Sequence, residues 1–304
     1  MSVRRRFTRR RALAVGLTGF LGAALAGLDL VEHGVLPGKA VLDDLSGACS
    51  VSAPPLSFAP GGPSFSGTFH SAWRRRAVGY TLAYPPGHRP GRELPLVISL
   101  HGFGGDHRSG LGGLSLAQAL AARSDARPLP PMALVAVDGG GLYWNPHPGD
   151  DPMAMLVREV IPMCRRLGLG RPSRGIGVIG ISMGGYGALL LAERHPGLLA
   201  AVAAISPAIW VTYAEARAAN AGAFAAAADF ARDDVIEHAA ALAGVPVRIA
   251  SGLSDPFHPG VVALQHAIPK SAIVRISTGC HDRAFFASQQ HASLAFLGAH
   301  LARV

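Results

Sequence analysis

The chain has 304 residues, 49% of them hydrophobic and 15% charged, and a formal charge of +9. That balance excludes a disordered chain and allows one large domain with extensions, or two small ones. Six of the 28 basic residues are Arg4, Arg5, Arg6, Arg9, Arg10 and Arg11, so from residue 12 onward 22 bases face 19 acids. A body carrying only that excess has no footprint for a polyanion, and no nucleic-acid partner is expected.

Residues 1–30 read as an export signal or N-terminal anchor. The arginines precede Ala12 to Leu28, which carries no charge. Thr8-Arg9-Arg10-Arg11-Ala12-Leu13 resembles a twin-arginine signal, with alanine where phenylalanine is more usual, and Ala24-Leu25-Ala26 offers an A-x-A cleavage site. The uncharged run also reaches the lower limit of a membrane span, about 17 residues, so membrane association through this segment stays open. Residues 31–75 read as an irregular linker or strap, rich in proline and glycine from Ala53 to Gly67. The Arg74-Arg75-Arg76 cluster fits a solvated strand entry.

From residue 76 to 304 the pattern is that of one domain. Strands are expected at Ala77–Tyr84, Pro95–Leu100, Met132–Val137, Ile176–Ile181, Leu199–Ile205, Val245–Ala250 and Ala272–Ile276. Helices are expected near Leu114–Arg123, Met153–Leu167, Ala188–Arg194 and Ser288–Leu301. Near-continuous Val/Ile/Leu runs alternating with helices predict an α/β fold with a doubly wound, mostly parallel sheet. The alanine-rich stretch 207–243 reads as a helical insertion, either a cap over the site or an ordinary connection. Its Asp229, Asp233 and Asp234 read as solvated faces or helix caps.

The stretch that carries chemistry is Gly175 to Gly187, G-I-G-V-I-G-I-S-M-G-G-Y-G. It sets G-x-S-x-G between a strand and a helix, where a strained turn lifts the Ser182 hydroxyl clear of the sheet and side chains at Gly180 or Gly184 would crowd it. A serine nucleophile needs a base, and the base an orienting acid. Loops after two later strands supply them, Asp255 in S-G-L-S-D-P-F and His281 in S-T-G-C-H-D. The order Ser182, Asp255, His281 is that of an α/β-hydrolase. Asp282 is a weaker candidate acid, because it follows His281 directly. An oxyanion needs two N–H donors. Met183, directly after the nucleophile, is one; Phe103, in the loop His101-Gly102-Phe103-Gly104-Gly105, is the other. His101 reads as a loop anchor. Tyr143 and Trp144 read either as pocket lining or as core. No metal or organic cofactor is implied. Of Cys49, Cys164 and Cys280, none sits in a C-x-x-C pair or zinc spacing, and a Cys49–Cys164 bond stays open.

These segments resemble the α/β-hydrolase superfamily. Within it, G-I-S-M-G-G-Y-G, S-D-P-F and G-C-H-D look like the exported actinobacterial esterases related to esterase D and the mycolyltransferases. The resemblance covers about Arg76 to Val304. It implies an exported serine carboxylic-ester hydrolase, cell-envelope associated or secreted, acting on small-molecule or lipid esters with Ser182, Asp255 and His281 as triad and Phe103 and Met183 as oxyanion donors. The alternatives are acyl transfer to a sugar hydroxyl and a non-catalytic envelope binding protein. The chain departs from many relatives in having Ile181 where they have tryptophan before the nucleophile. It also has Arg283-Ala284-Phe285-Phe286 where they have tryptophan soon after the histidine.

Overall fold

The computed structural model describes residues 46–303 except 54, 126, 172 and 174. The expected signal at 1–30 lies outside the described residues. Among those described, no helix is long and apolar enough to cross a membrane. The chain divides into two units, Met1–Ser50 and Val51–Val304. The sheet and the site belong to the second.

The second unit opens with β1 (Leu56–Phe58), β2 (Ser64–Ser71), β3 (Arg76–Ala83) and β4 (Leu96–Leu100). Next come α1 (Leu116–Ala121), β5 (Ala122–Ser124), β6 (Arg127–Pro128) and β7 (Ala133–Val137). Short helices α2 (Pro152–Met155) and α3 (Ile161–Arg166) are joined by a π-helical turn, Leu156–Val160. Then follow β8 (Ile176–Ile181), α4 (Met183–Arg194) and β9 (Leu199–Ile205). The chain ends with α5 (Tyr213–Ala219), α6 (Ala227–Arg232), β10 (Val247–Gly252), α7 (His258–Ala267), β11 (Ile273–Ser277) and α8 (Arg283–Arg303).

Eight strands form one sheet in the order β11-β10-β9-β8-β4-β7-β3-β2. Its pairs from β11 through β7 are parallel, and β7, β3 and β2 pair antiparallel at one edge. A parallel sheet needs cover on both faces, and alternate residues of each inner strand supply two cores. Ile176 and Val178 of β8 pack with the leucines of α4, with Leu156 and Ile161 around the π turn, and with Val261 of α7. Ile179 and Ile181 pack the other way, with Leu116 and Leu120 of α1 and Leu294, Leu297 and Leu301 of α8. Among these helices α4 stands at the centre, buried from Met183 through Ala192.

Of the expected strap at 31–75, residues 31–45 lie outside the described residues, and the stretch Ser64–Ser71 is corrected by β2. It pairs over its full length with β3, from Ser64 opposite Ala83 to Ser71 opposite Arg76. Its outer position lets it carry polar residues and an exposed Phe65, so it lacks the apolar run of a buried strand. The single helix expected at Met153–Leu167 is broken because Pro162 offers no N–H and crowds the preceding turn, and the π turn absorbs the misfit. Stretch 207–243 is helical in short pieces: α5, α6 and a 3-10 turn at Ala239–Leu242. Its Asp233 is no solvated face. The carboxylate is wholly buried, pairs with Arg194 of α4, and accepts from Arg232 Nη2 at 3.0 Å. Arg74 likewise is 2% exposed rather than solvated, with Nε at 2.6 Å and Nη2 at 3.0 Å from the two Asp150 oxygens. Cys164 is a free buried thiol, its pKa pushed up to about 12 by burial, which closes the Cys49–Cys164 option.

Candidate active site

The expected site residues converge at the carboxyl ends of the parallel strands. Ser182 sits between β8 and α4 with φ 56° and ψ −120°, a conformation that costs a non-glycine residue about 1–3 kcal/mol. The surroundings enforce it. Ser182 N–H donates to Ile205 O at 3.0 Å, and Ser182 O accepts from Tyr186 N–H at 3.1 Å and Ala208 N–H at 3.0 Å. The glycine frame is a steric requirement: a Cβ on Gly180 would lie 1.9 Å from Gly184 O, and one on Gly184 would lie 2.0 Å from Leu100 O.

His281, on the loop between β11 and α8, bridges the other two residues. Its Nε2 is 2.9 Å from Ser182 Oγ and its Nδ1 is 2.9 Å from Asp255 Oδ2. The Asp255 side chain is fully buried, and its second oxygen accepts from Phe257 N–H at 2.9 Å. An ionised carboxylate can only accept, so Nδ1 carries the imidazole proton and Nε2 is left to accept from the serine hydroxyl. The ring is held edge-on by Phe257 and Phe286, each with its centroid 5.1 Å away. The loops that bring acid and base together touch backbone to backbone: a Cβ on Gly252, at the end of β10, would lie 2.2 Å from Gly279 O. Asp282, the rival acid, is committed elsewhere. Its Oδ1 accepts from Phe285 N–H at 2.8 Å and caps α8.

Two N–H groups border the serine. Met183 is the first residue of α4, so its N–H has no intrahelical acceptor and adds to the positive end of the helix dipole. Phe103 follows Gly102 in the loop after β4. Gly102 O accepts from Gly105 N–H at 3.0 Å and lies 2.8 Å from His101 Nδ1. His101 Nε2 accepts from Gly139 N–H at 2.8 Å, which places the ring proton on Nδ1. Burial lowers the His101 pKa and keeps the ring neutral. A trans peptide points its N–H away from its C=O, so this double hold on Gly102 O also aims the Phe103 N–H. His101 is thus the loop anchor expected of it.

A cleft of about 520 Å³ opens over Ser182 and His281, with Phe103, Ser109, Arg283 and Phe286 in its walls. Among the described residues, none from 207–243 lines it. Tyr143 and Trp144 do not line it either. Trp144 is fully buried and donates from Nε1 to His101 O at 3.3 Å, while Tyr143 packs against Trp210 and Tyr186. Arg283, Phe286 and Phe257 were missed as site residues; only the folding of α7 and α8 beside the cleft reveals them. Chemically, the arrangement offers a hydroxyl with a proton acceptor and an imidazole oriented by a buried carboxylate.

Residues 74–263, more than half of the chain, match the model of the Esterase family, described as "Putative esterase". The match includes Ser182 and Asp255 and ends before His281. A search of curated proteins returns no match. Among solved structures, a ferulic acid esterase superposes with a TM-score of 0.65 at 17% identity, covering 78% of this chain and 98% of that one. An S-formylglutathione hydrolase from Agrobacterium tumefaciens gives 0.63 at 18% identity, covering 83% and 100%. FphF, a fluorophosphonate-binding serine hydrolase of Staphylococcus aureus, gives 0.61 at 14%, covering 79% and 99%. At these identities the likeness speaks for the fold, that of the α/β-hydrolases.

Proposed function

The chain belongs to the Esterase family and is a carboxylic-ester hydrolase, and from that premise we propose that it is an exported serine esterase working through an acyl-enzyme on Ser182. The observation that carries the reading is the single imidazole of His281, 2.9 Å from Ser182 Oγ on one side and 2.9 Å from Asp255 Oδ2 on the other. In the first half-reaction the Ser182 oxygen attacks the ester carbonyl carbon while its proton passes to His281 Nε2. The carbonyl oxygen takes the negative charge and is met by the Met183 and Phe103 N–H groups. The intermediate collapses, the C–O bond to the alcohol breaks, and His281 returns the proton to the leaving oxygen. Water then repeats the attack on the acyl group, with His281 as base, and the acid is released. Asp255 stays ionised throughout and stabilises the imidazolium.

Water, rather than a sugar hydroxyl, is the acceptor in this reading, since none of the described residues lining the cleft is specific to sugars. Mass spectrometry of products from a lipid ester donor with excess trehalose separates the two. Free acid as the dominant product supports hydrolysis, and acylated trehalose as the main product overturns it. Export rests on the arginine pair and uncharged run of residues 1–30. Replacing Arg9 and Arg10 by lysine is expected to hold the protein in the cytoplasm, as read by fractionation. Unchanged export would remove the twin-arginine route.

A further inference from the structure

Building on the acyl-enzyme reading above, we propose that the cleft selects esters carrying an anionic group, a carboxylate or phosphate, with Arg283 as the residue that sets this specificity. Arg283 lines the cleft together with Ser182 and His281. It is the first residue of α8, where the helix dipole disfavours a cation, so helix stability gives no reason for an arginine there. Its stem lies along the glycine-rich loop: a Cβ on Gly113 would sit 3.0 Å from Arg283 Cδ and 3.5 Å from its Nε. Any larger side chain at Gly113 would push the arginine from this path.

Among the described residues, no carboxylate forms an ion pair with Arg283, and the acids on nearby loops are engaged. Asp106 Oδ1 accepts from Arg108 N–H at 2.8 Å and Ser109 Oγ at 3.2 Å. Asp255 serves His281 and Phe257 N–H, and Asp282 serves Phe285 N–H. Among the described residues, no acidic one lines the cleft; besides Ser182 and His281, its remaining walls are Leu100, Ile181, the His101 segment, glycine backbone, the Ser109 hydroxyl and the rings of Phe103 and Phe286. A guanidinium at such a wall is a planar, permanently charged fork that matches a carboxylate or phosphate in two parallel hydrogen bonds. Apolar walls beside it concentrate its field toward the bound ligand. A substrate whose anionic group reaches Arg283 while its ester carbonyl sits at Ser182 would use both.

The anion could belong to the acyl or to the alcohol part, and two matched pairs separate these. Mono-p-nitrophenyl adipate against p-nitrophenyl hexanoate puts the charge in the acyl chain; 4-acetoxybenzoate against 4-acetoxybenzamide puts it in the leaving group. The readout is the ratio of kcat/KM for the charged over the neutral member, in wild type, Arg283→Gln and Arg283→Lys. In at least one pair the ratio is expected to fall about tenfold or more in R283Q, mainly through KM, and to be held in greater part by R283K. The wild-type ratio should also decline as salt rises. A ratio that R283Q leaves unchanged in both pairs overturns the proposal. Ser182→Ala, run beside these, tests the underlying reading separately. Loss of turnover on every ester keeps the acyl-enzyme, while undiminished turnover overturns that reading itself.

Discussion

The proposed nucleophile elbow and the proposed acid–base junction meet at one imidazole but are built in opposite ways. The elbow is a single continuous segment, β8–Ser182–α4. Its geometry is set by neighbours in sequence and by the strand beside it, with Gly180 and Gly184 leaving space that no Cβ can enter. The junction joins two loops that are distant in sequence, after β10 and after β11. It exists only because those strands lie side by side, with Gly252 aligned to Ser277 in register and pressed against the Gly279 backbone. Chemistry that depends on strain is thus encoded locally, whereas chemistry that depends on orientation is encoded in topology.

Mutations on the two sides should differ accordingly. The largest effect belongs to the elbow. Ser182→Ala is expected to lower kcat by at least about 10⁴-fold in p-nitrophenyl butyrate assays, with the circular dichroism spectrum unchanged. Wild-type rates in that variant would break the comparison at its root. Next is the junction. Asp255→Asn should lower kcat by about 10²-fold or more with little change in KM, because the carboxylate stabilises an imidazolium formed only in the transition state. Asp282→Asn should cost less than about tenfold, and asparagine caps a helix as well as aspartate does, so the melting temperature should hold. If these two rank the other way with both folded, Asp282 is the acid.

The smallest effect sharpens the comparison from the far end of α4. Glu193 has its pKa raised to about 7 by burial, against an ordinary value of 4.5, with His238, Arg194 and Asp234 facing it. Because the folded state holds this proton more tightly, wild-type stability is higher below about pH 4.5, falls as pH rises through about 7, and is flat beyond. Glu193→Gln should therefore melt higher than wild type at pH 8, by about 2 °C, and gain much less at pH 5. Its kcat should not move if the elbow is as locally determined as its glycines imply. Melting curves at the two pH values, with rates at pH 8, check both halves.

Legibility followed the same division. The elbow could be read from thirteen residues, because its glycines, apolar strand and hydroxyl are contiguous. Asp255 and His281 could be read once the strands were placed, since each sits directly after one. Burial of Asp233 and Arg74 could not be read. Their partners Arg194 and Asp150 lie far away in sequence, and a charged residue in a polar stretch looks the same whether solvated or paired. The hairpin of β2 was hidden for a related reason: an outer strand keeps no apolar run, and its proline- and glycine-rich flank resembles a strap. Arg283 was seen only as a departure from tryptophan. Its place in the cleft wall depends on the loop 110–113, whose glycines let α8 approach.

The central claim is that Ser182 is the nucleophile, lifted from the sheet by the elbow and deprotonated through His281. Reaction of the purified full chain with a fluorophosphonate, followed by peptide mapping of the adduct, tests it most directly. The expected result is one covalent phosphonyl group on Ser182, absent from Ser182→Ala. An adduct on another residue, or none while the protein still hydrolyses esters, would contradict it.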